Sequence, residues 1–145
     1  MGFSKIIPQA KAKTGVFKIA TVRMRETAAF RLQLSMPSAL YTLHFGAAAR
    51  LNIEIGNGTD EGKLLLLPGS EGDFKPTFMR QTVIIRLPEL DWPPQFKMEA
   101  DDPEYRKADA VGGMLLTLPE WAWNKERQTS ILKARQQVAR ERAAQ

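Results

Sequence analysis

The chain has no cysteine, a single histidine and no long apolar run. Without cysteine there is no disulfide framework and no thiolate metal site. His44 has no second histidine or cysteine with which to share a metal, so it reads as a structural or surface residue. The longest apolar run is far short of the roughly 20 residues that span a bilayer. The opening, MGFSKIIPQAKAKTG, lacks the apolar core of a signal peptide. The expectation is a cytoplasmic protein with no membrane association. Neither a Walker sequence nor a dinucleotide fingerprint is present, and Gly56-Asn57-Gly58 reads as a turn rather than a phosphate loop. Asp101, Asp102 and Glu104 share a polar stretch with Arg106 and Lys107, which marks a solvated loop more than a cation site or an acid–base pair. No nucleophile–base pair stands out. No enzyme, no metal and no cofactor are expected.

What is present is ordinary for one globular domain: 145 residues, 43% apolar and 26% charged. The charge is unevenly placed. Residues 1–30 carry Lys5, Lys11, Lys13, Lys18, Arg23 and Arg25 against Glu26 alone. Residues 124–145 carry Lys125, Arg127, Lys133, Arg135, Arg140 and Arg142 against Glu126 and Glu141. The stretch between them has more acids than bases. A mildly acidic body with two basic ends is what polyanion-binding arms look like, and also what solubilising termini look like.

The stretch from Phe30 to Pro68 organises the chain. FRLQLSMP at 30–37 is echoed by QTVIIRLP at 81–88, and GKLLLLP at 62–68 by GMLLTLP at 113–119. Both echoes lie 51 residues downstream, which reads as an internal duplication. The first copy reads as a strand from Gly15 with a bulge near Ala20–Thr21, then an alternating strand carrying Leu32, Leu34 and Met36. A short helix over 39–45 follows, with Leu40 and Leu43 inward and Gly46 at its end. Leu51, Ile53 and Ile55 then point inward from a strand, and Lys63–Leu67 forms a strand apolar on both faces. In the second copy Phe74–Arg80 replaces the first strand, and Pro88 to Pro94 cannot form the helix. A strand near Lys97–Ala100 stands for 50–55, followed by a long polar loop over 101–113. Trp92, Trp121 and Trp123 are expected in the core more than stacked on bases. The predicted layout is a basic arm over 1–13, a duplicated β-barrel over 14–123 with halves near 15–68 and 74–119, and a basic helix over 124–145. The fold class is mainly β: a single-chain, pseudo-two-fold barrel with one short helix in its first half and a C-terminal helix.

Over 14–68 the sequence resembles the AbrB/MazE/SpoVT family of swapped-hairpin domains. The resemblance rests on Thr14-Gly15-Val16-Phe17-Lys18 as the opening strand and on Leu34-Ser35-Met36-Pro37-Ser38-Ala39-Leu40 as the step from strand through proline to helix. Gly46, Leu51–Ile55 and Lys63–Pro68 complete the order. Tyr41 and Thr42 stand where the family often has arginines. The resemblance implies a tandem version of a domain that usually closes its barrel as a dimer, so the chain is expected as a monomeric pseudo-dimer or a homodimer. It also implies a non-enzymatic DNA-binding protein, a transcriptional regulator. Lys18, Arg23, Arg25 and Arg31 are its candidate DNA contacts, with Arg80 and Arg86 as second-half counterparts. Lys11, Lys13, Lys133 and Arg135 would add phosphate contacts. The alternative is a protein-interaction module, antitoxin-like or part of a phage or other assembly, whose 124–145 helix lies in a partner's groove.

Overall fold

The computed structural model describes residues 16–108 and 112–144, so the basic arm with Lys11 and Lys13 lies outside the described residues. Among the described residues eight strands form two four-stranded antiparallel sheets. They are β1 (Lys18–Val22), β2 (Arg31–Pro37), β3 (Leu51–Ile55), β4 (Lys63–Pro68), β5 (Thr77–Phe78), β6 (Thr82–Arg86), β7 (Glu104–Lys107) and β8 (Met114–Thr117). Sheet A has the order β1-β2-β6-β5 and sheet B the order β3-β4-β8-β7. Each order is unchanged in form when β1–β4 are exchanged with β5–β8. One strand from each half therefore forms the central pair of each sheet, β2 with β6 and β4 with β8.

The inner faces of both sheets share one core. Ile19, Leu32, Leu34, Met36, Val83 and Ile85 from sheet A pack with Leu51, Leu64, Leu66, Met114 and Leu116 from sheet B. Side chains alternate across a strand, so every second residue of β2 and β6 is buried. Full burial of each such side chain contributes about 1.5–3 kcal/mol. Two isolated backbone bridges tie an edge strand of each sheet to the segment leading into the other sheet's edge strand, Ile19 of β1 with Asp101 and Leu51 of β3 with Phe74, each closed by two reciprocal hydrogen bonds of 2.8–3.0 Å.

The echo at 51 residues holds strand for strand in sheet A. Leu34 stands directly opposite Ile85, its own counterpart, and Leu32, Leu34, Met36, Val83, Ile85 and Leu87 are all buried. In sheet B the same offset crosses the sheet. Leu64 stands opposite Leu116, not Leu115, so the counterpart at 51 residues lies one position away on the other face. Leu64 is buried and Leu115 is only half-buried; Leu67 is half-buried and Leu118 buried. A one-residue slip exchanges the two faces of a strand. Gly62 and Gly113 do correspond: both sit at positive φ (85° and 92°) just before the returning strand, a conformation that favours glycine.

Other expectations change as well. The bulge near Ala20–Thr21 is absent: β1 pairs with β2 without a break from Lys18–Ser35 to Val22–Arg31. Thr21 itself takes the buried place, its hydroxyl donating to Phe96 O (3.1 Å) and accepting from Met98 N (2.7 Å). A threonine with both bonds made can stand where an apolar residue was expected. The counterpart of β3 is β7, not Lys97–Ala100. The β7–β8 link (108–113) is no longer than the β3–β4 link (56–62), so the extra length of the second half lies before β7. The helix α1 spans Ser38–Phe45 and buries Tyr41 and Phe45, one turn apart, whereas Leu43 is 76% exposed. Its first amide, Ser38 N, donates to Gln81 O (3.0 Å), which ties it to the β5–β6 turn. Leu65 and Leu67 of β4 are half-buried rather than inside, and Ile55 at the end of β3 is 49% exposed.

After β8 a single helical turn, α2 (Glu120–Trp123), leads into α3 (Lys125–Ala144). Asn124 caps α3, its side-chain oxygen accepting from Glu126 N (3.0 Å) and Arg127 N (3.2 Å). The first half of α3 docks. Lys125 donates to Asp91 O (2.6 Å), Gln128 to Trp92 O and Trp121 O (both 2.9 Å), and Arg135 to Lys97 O (2.7 Å). Beyond Arg135 every described residue of the helix is exposed. No helix among the described residues is long and apolar enough to cross a membrane.

Candidate nucleic-acid interface

The outer face of sheet A gathers three of the expected contacts. Directly opposed residues share a face, and the rows there read Val22–Arg31, Ala20–Gln33–Arg86 and Lys18–Ser35–Ile84–Thr77. Lys18, Arg31 and Arg86 therefore come from three adjacent strands of one surface. The four strands of sheet A contain no aspartate or glutamate. Arg23 and Arg25 lie in the β1–β2 loop and are exposed.

Two of these guanidiniums are held by one nitrogen. Arg31 donates its Nε to Leu87 O (2.7 Å), and Arg86 donates its Nε to Gln33 Oε1 (2.9 Å). Among the described residues neither meets a carboxylate at ion-pair distance. The terminal nitrogens of each remain as donors in the fork geometry that suits phosphate. Arg23 lies over the Phe30 ring at 4.7 Å and donates to Glu26 O (2.9 Å), which fixes the loop beside this face.

The other candidates are placed differently. Lys18 is paired with Asp102 at 2.5 Å, so its charge is partly met within the chain. Arg80 is exposed in the β5–β6 turn, at the opposite end of the sheet from Arg23 and Arg25. The seven residues of β2 put roughly 20 Å between those ends. Lys133 is exposed on α3. Arg135 is turned onto the body, with its guanidinium 5.2 Å over the Phe96 ring as well as bonded to Lys97 O.

Residues with other chemistry fall into structural places. Trp121 is buried and donates Nε1 to Asp101 Oδ2 (3.0 Å), while Trp92 and Trp123 are half-buried against the core. No group of three or more metal-ligating side chains gathers among the described residues. His44 stands edge-on to Tyr105 with ring centroids 5.9 Å apart, and its Nδ1 is buried without a hydrogen-bond partner. Sequence reasoning missed the tethers on Arg31 and Arg86. Their partners, Gln33 and Leu87, come into reach only through the β2–β6 pairing. Comparison with known protein families, with characterised proteins and with solved structures finds no match to this chain.

Proposed function

We propose that this chain is a non-enzymatic DNA-binding protein, a regulator of AbrB-like type, that grips the phosphate backbone with the outer face of sheet A and the β1–β2 loop. One observation carries the reading: charge of one sign is confined to one sheet. Residues 16–37 and 77–86, which make sheet A and its hairpins, carry Lys18, Arg23, Arg25, Arg31, Arg80 and Arg86 against Glu26 alone. Residues 51–68, 104–108 and 112–117, which make sheet B, carry Lys63, Arg106 and Lys107 against Glu54, Asp60, Glu61 and Glu104. A surface of one sign next to a mixed one attracts a polyanion to one side. In the same reading the two sheets and their bridges make a single-chain, pseudo-two-fold barrel, in which one chain supplies both halves that the swapped-hairpin family assembles from two.

Backbone neutralisation releases counterions, so affinity falls with salt in proportion to the phosphates met. Arg23, Arg25, Arg31 and Arg86 give a log–log salt slope of about −4. The experiment is a fluorescence-anisotropy titration of random duplex at several salt concentrations, with the intact chain and with Arg31→Ala/Arg86→Ala. Loss of two phosphate contacts should flatten the slope by about 2. Absence of binding at low salt, or an unchanged slope in the double variant, defeats this reading.

A further inference from the structure

The two ends of the molecule are covered unequally. After β2 the chain forms α1, and its Tyr41 and Phe45 are buried in the same core as Phe17. After β6, at the equivalent place, there is no helix. There the chain runs through Pro88, Leu90 and Trp92, and Phe74 stands where Phe17 stands at the other end. Phe74, Leu90 and Trp92 are only half-buried, and they line with Ile53 and Ile55 an apolar cavity of about 150 Å³. Ile55 and Trp92 also line a neighbouring cavity of about 350 Å³ that reaches Trp123, Glu61 and Lys63. Acids outnumber bases around it, although Lys125 donates to Asp91 O there and Lys63 lines it. Glu61, Glu89 and Asp91 are exposed there, Glu126 opens α3 nearby, and Lys63 is paired with Asp60 at 3.8 Å.

The second half of α3 has the opposite character. It projects from the body without a covering partner among the described residues, with Val138 45% exposed beside Ala134 and Ala139. Arg140 and Arg142 flank this stripe, against Glu141 alone. The helix has 20 residues, about 30 Å. Its N-terminal end lies against Trp92 through Gln128 and against Asp91 through Lys125. If two copies lay their α3 helices side by side in opposite directions, the basic end of each would reach the acidic, apolar end of the other.

We propose that the uncovered end is an interface with a second copy of this chain, in which residues 136–144 of one protomer take the place that α1 fills at the other end. The contact is isologous: each copy gives a helix and receives one. Val138 enters the apolar cavity lined by Ile55 and Trp92, and the alanines let the helix come close. Arg140 and Arg142 meet Glu61, Glu89 and Asp91. Reciprocal exchange makes two such contacts, which raises the buried area toward the roughly 1,200 Å² of a stable interface.

Sedimentation equilibrium of the full chain across the micromolar range tests this. The 16.3 kDa chain should run as a dimer at low salt and dissociate as salt rises. Val138→Asp and Ile55→Asp each change an exposed side chain, and each should weaken the dimer at least about tenfold with circular dichroism unchanged. Mixed together, the two variants should form a heterodimer, because the intact helix of one meets the intact end of the other. A misfolded variant would not complement in this way. A chain that stays monomeric throughout overturns the proposal and leaves that end to a different protein. A dimer indifferent to both substitutions also overturns it. Since DNA binding is read from a separate titration, failure here leaves the role of sheet A untouched, and the converse holds.

Discussion

Sheets A and B share a strand order, yet they differ in charge and in phase. Sheet A repeats its sequence in phase: Leu34 meets its own counterpart Ile85, and the inward residues of β2 have inward counterparts on and just after β6. Sheet B repeats a similar string of leucines, but β8 is one step out of phase with β4. The architecture tolerates both arrangements because what it requires of a strand is an apolar residue at every second position, not a particular one. Charge follows a different logic. The core does not decide which outward positions are basic, and the strands of sheet A carry no acid, with Asp102 meeting Lys18 at its edge, while those of sheet B carry both signs.

The comparison breaks first at the phase slip. Leu64→Ala should cost about 2–5 kcal/mol, as for a core leucine, whereas Leu115→Ala, its counterpart in the sequence echo, should cost under about 1.5 kcal/mol. Urea denaturation of the two variants decides it, and equal costs would restore the 51-residue correspondence in sheet B. Next comes Thr21→Val, nearly the same shape without the hydroxyl. It leaves Phe96 O and Met98 N without their partner, so a loss of about 1–3 kcal/mol is expected. An unchanged denaturation midpoint would mean that water serves those two groups instead.

A smaller effect should come from Tyr41, whose hydroxyl donates to Ala48 O at 2.6 Å. Tyr41→Phe removes one hydrogen bond, about 1 kcal/mol. Burial raises the phenol above its usual value of 10.0, since the folded state disfavours the phenolate. The resulting stability is complete below pH 10 and is lost as pH rises through the raised value. Thermal melts from neutral to strongly alkaline pH should therefore show an alkaline decline for the parent that is shallower in Tyr41→Phe. The smallest effect sharpens the charge contrast. On the proposed DNA-binding reading, Arg106→Ala on sheet B should leave DNA affinity within about twofold, while Arg31→Ala on sheet A should flatten the salt slope by about 1. Equal effects would remove the distinction between the faces.

The legible parts of the fold were those where side chains alternate in type. Arg31-Leu32-Gln33-Leu34-Ser35-Met36 announces both a strand and its inner face. Leu64-Leu65-Leu66-Leu67 announces a strand but not a face, because a run of one residue carries no phase. Glu104–Lys107 announces neither. It is an exposed edge strand, and hydrogen bonding to β8 rather than burial makes it one. Tyr41 and Phe45 were hidden behind the more apolar Leu40 and Leu43. The basic candidates were readable as residues. That Arg31 and Arg86 share a face depends on a pairing between strands more than forty residues apart.

The segment from Asp91 to Met98 is irregular, and side chains from distant parts of the chain satisfy much of its backbone. Gln128, Lys125 and Arg135 of the last helix serve Trp92, Asp91 and Lys97. On a ribosome these residues arrive after the segment they serve. Gln128 follows Trp92 by 36 positions, a delay of about 2–7 s at ordinary elongation rates. During that interval the middle of the chain has been made while the groups that fasten it have not. The 91–98 segment is therefore completed only once α3 has been made. A chain truncated before Lys125 should leave Trp92 more open to quenchers than the chain that carries Lys125–Ala144.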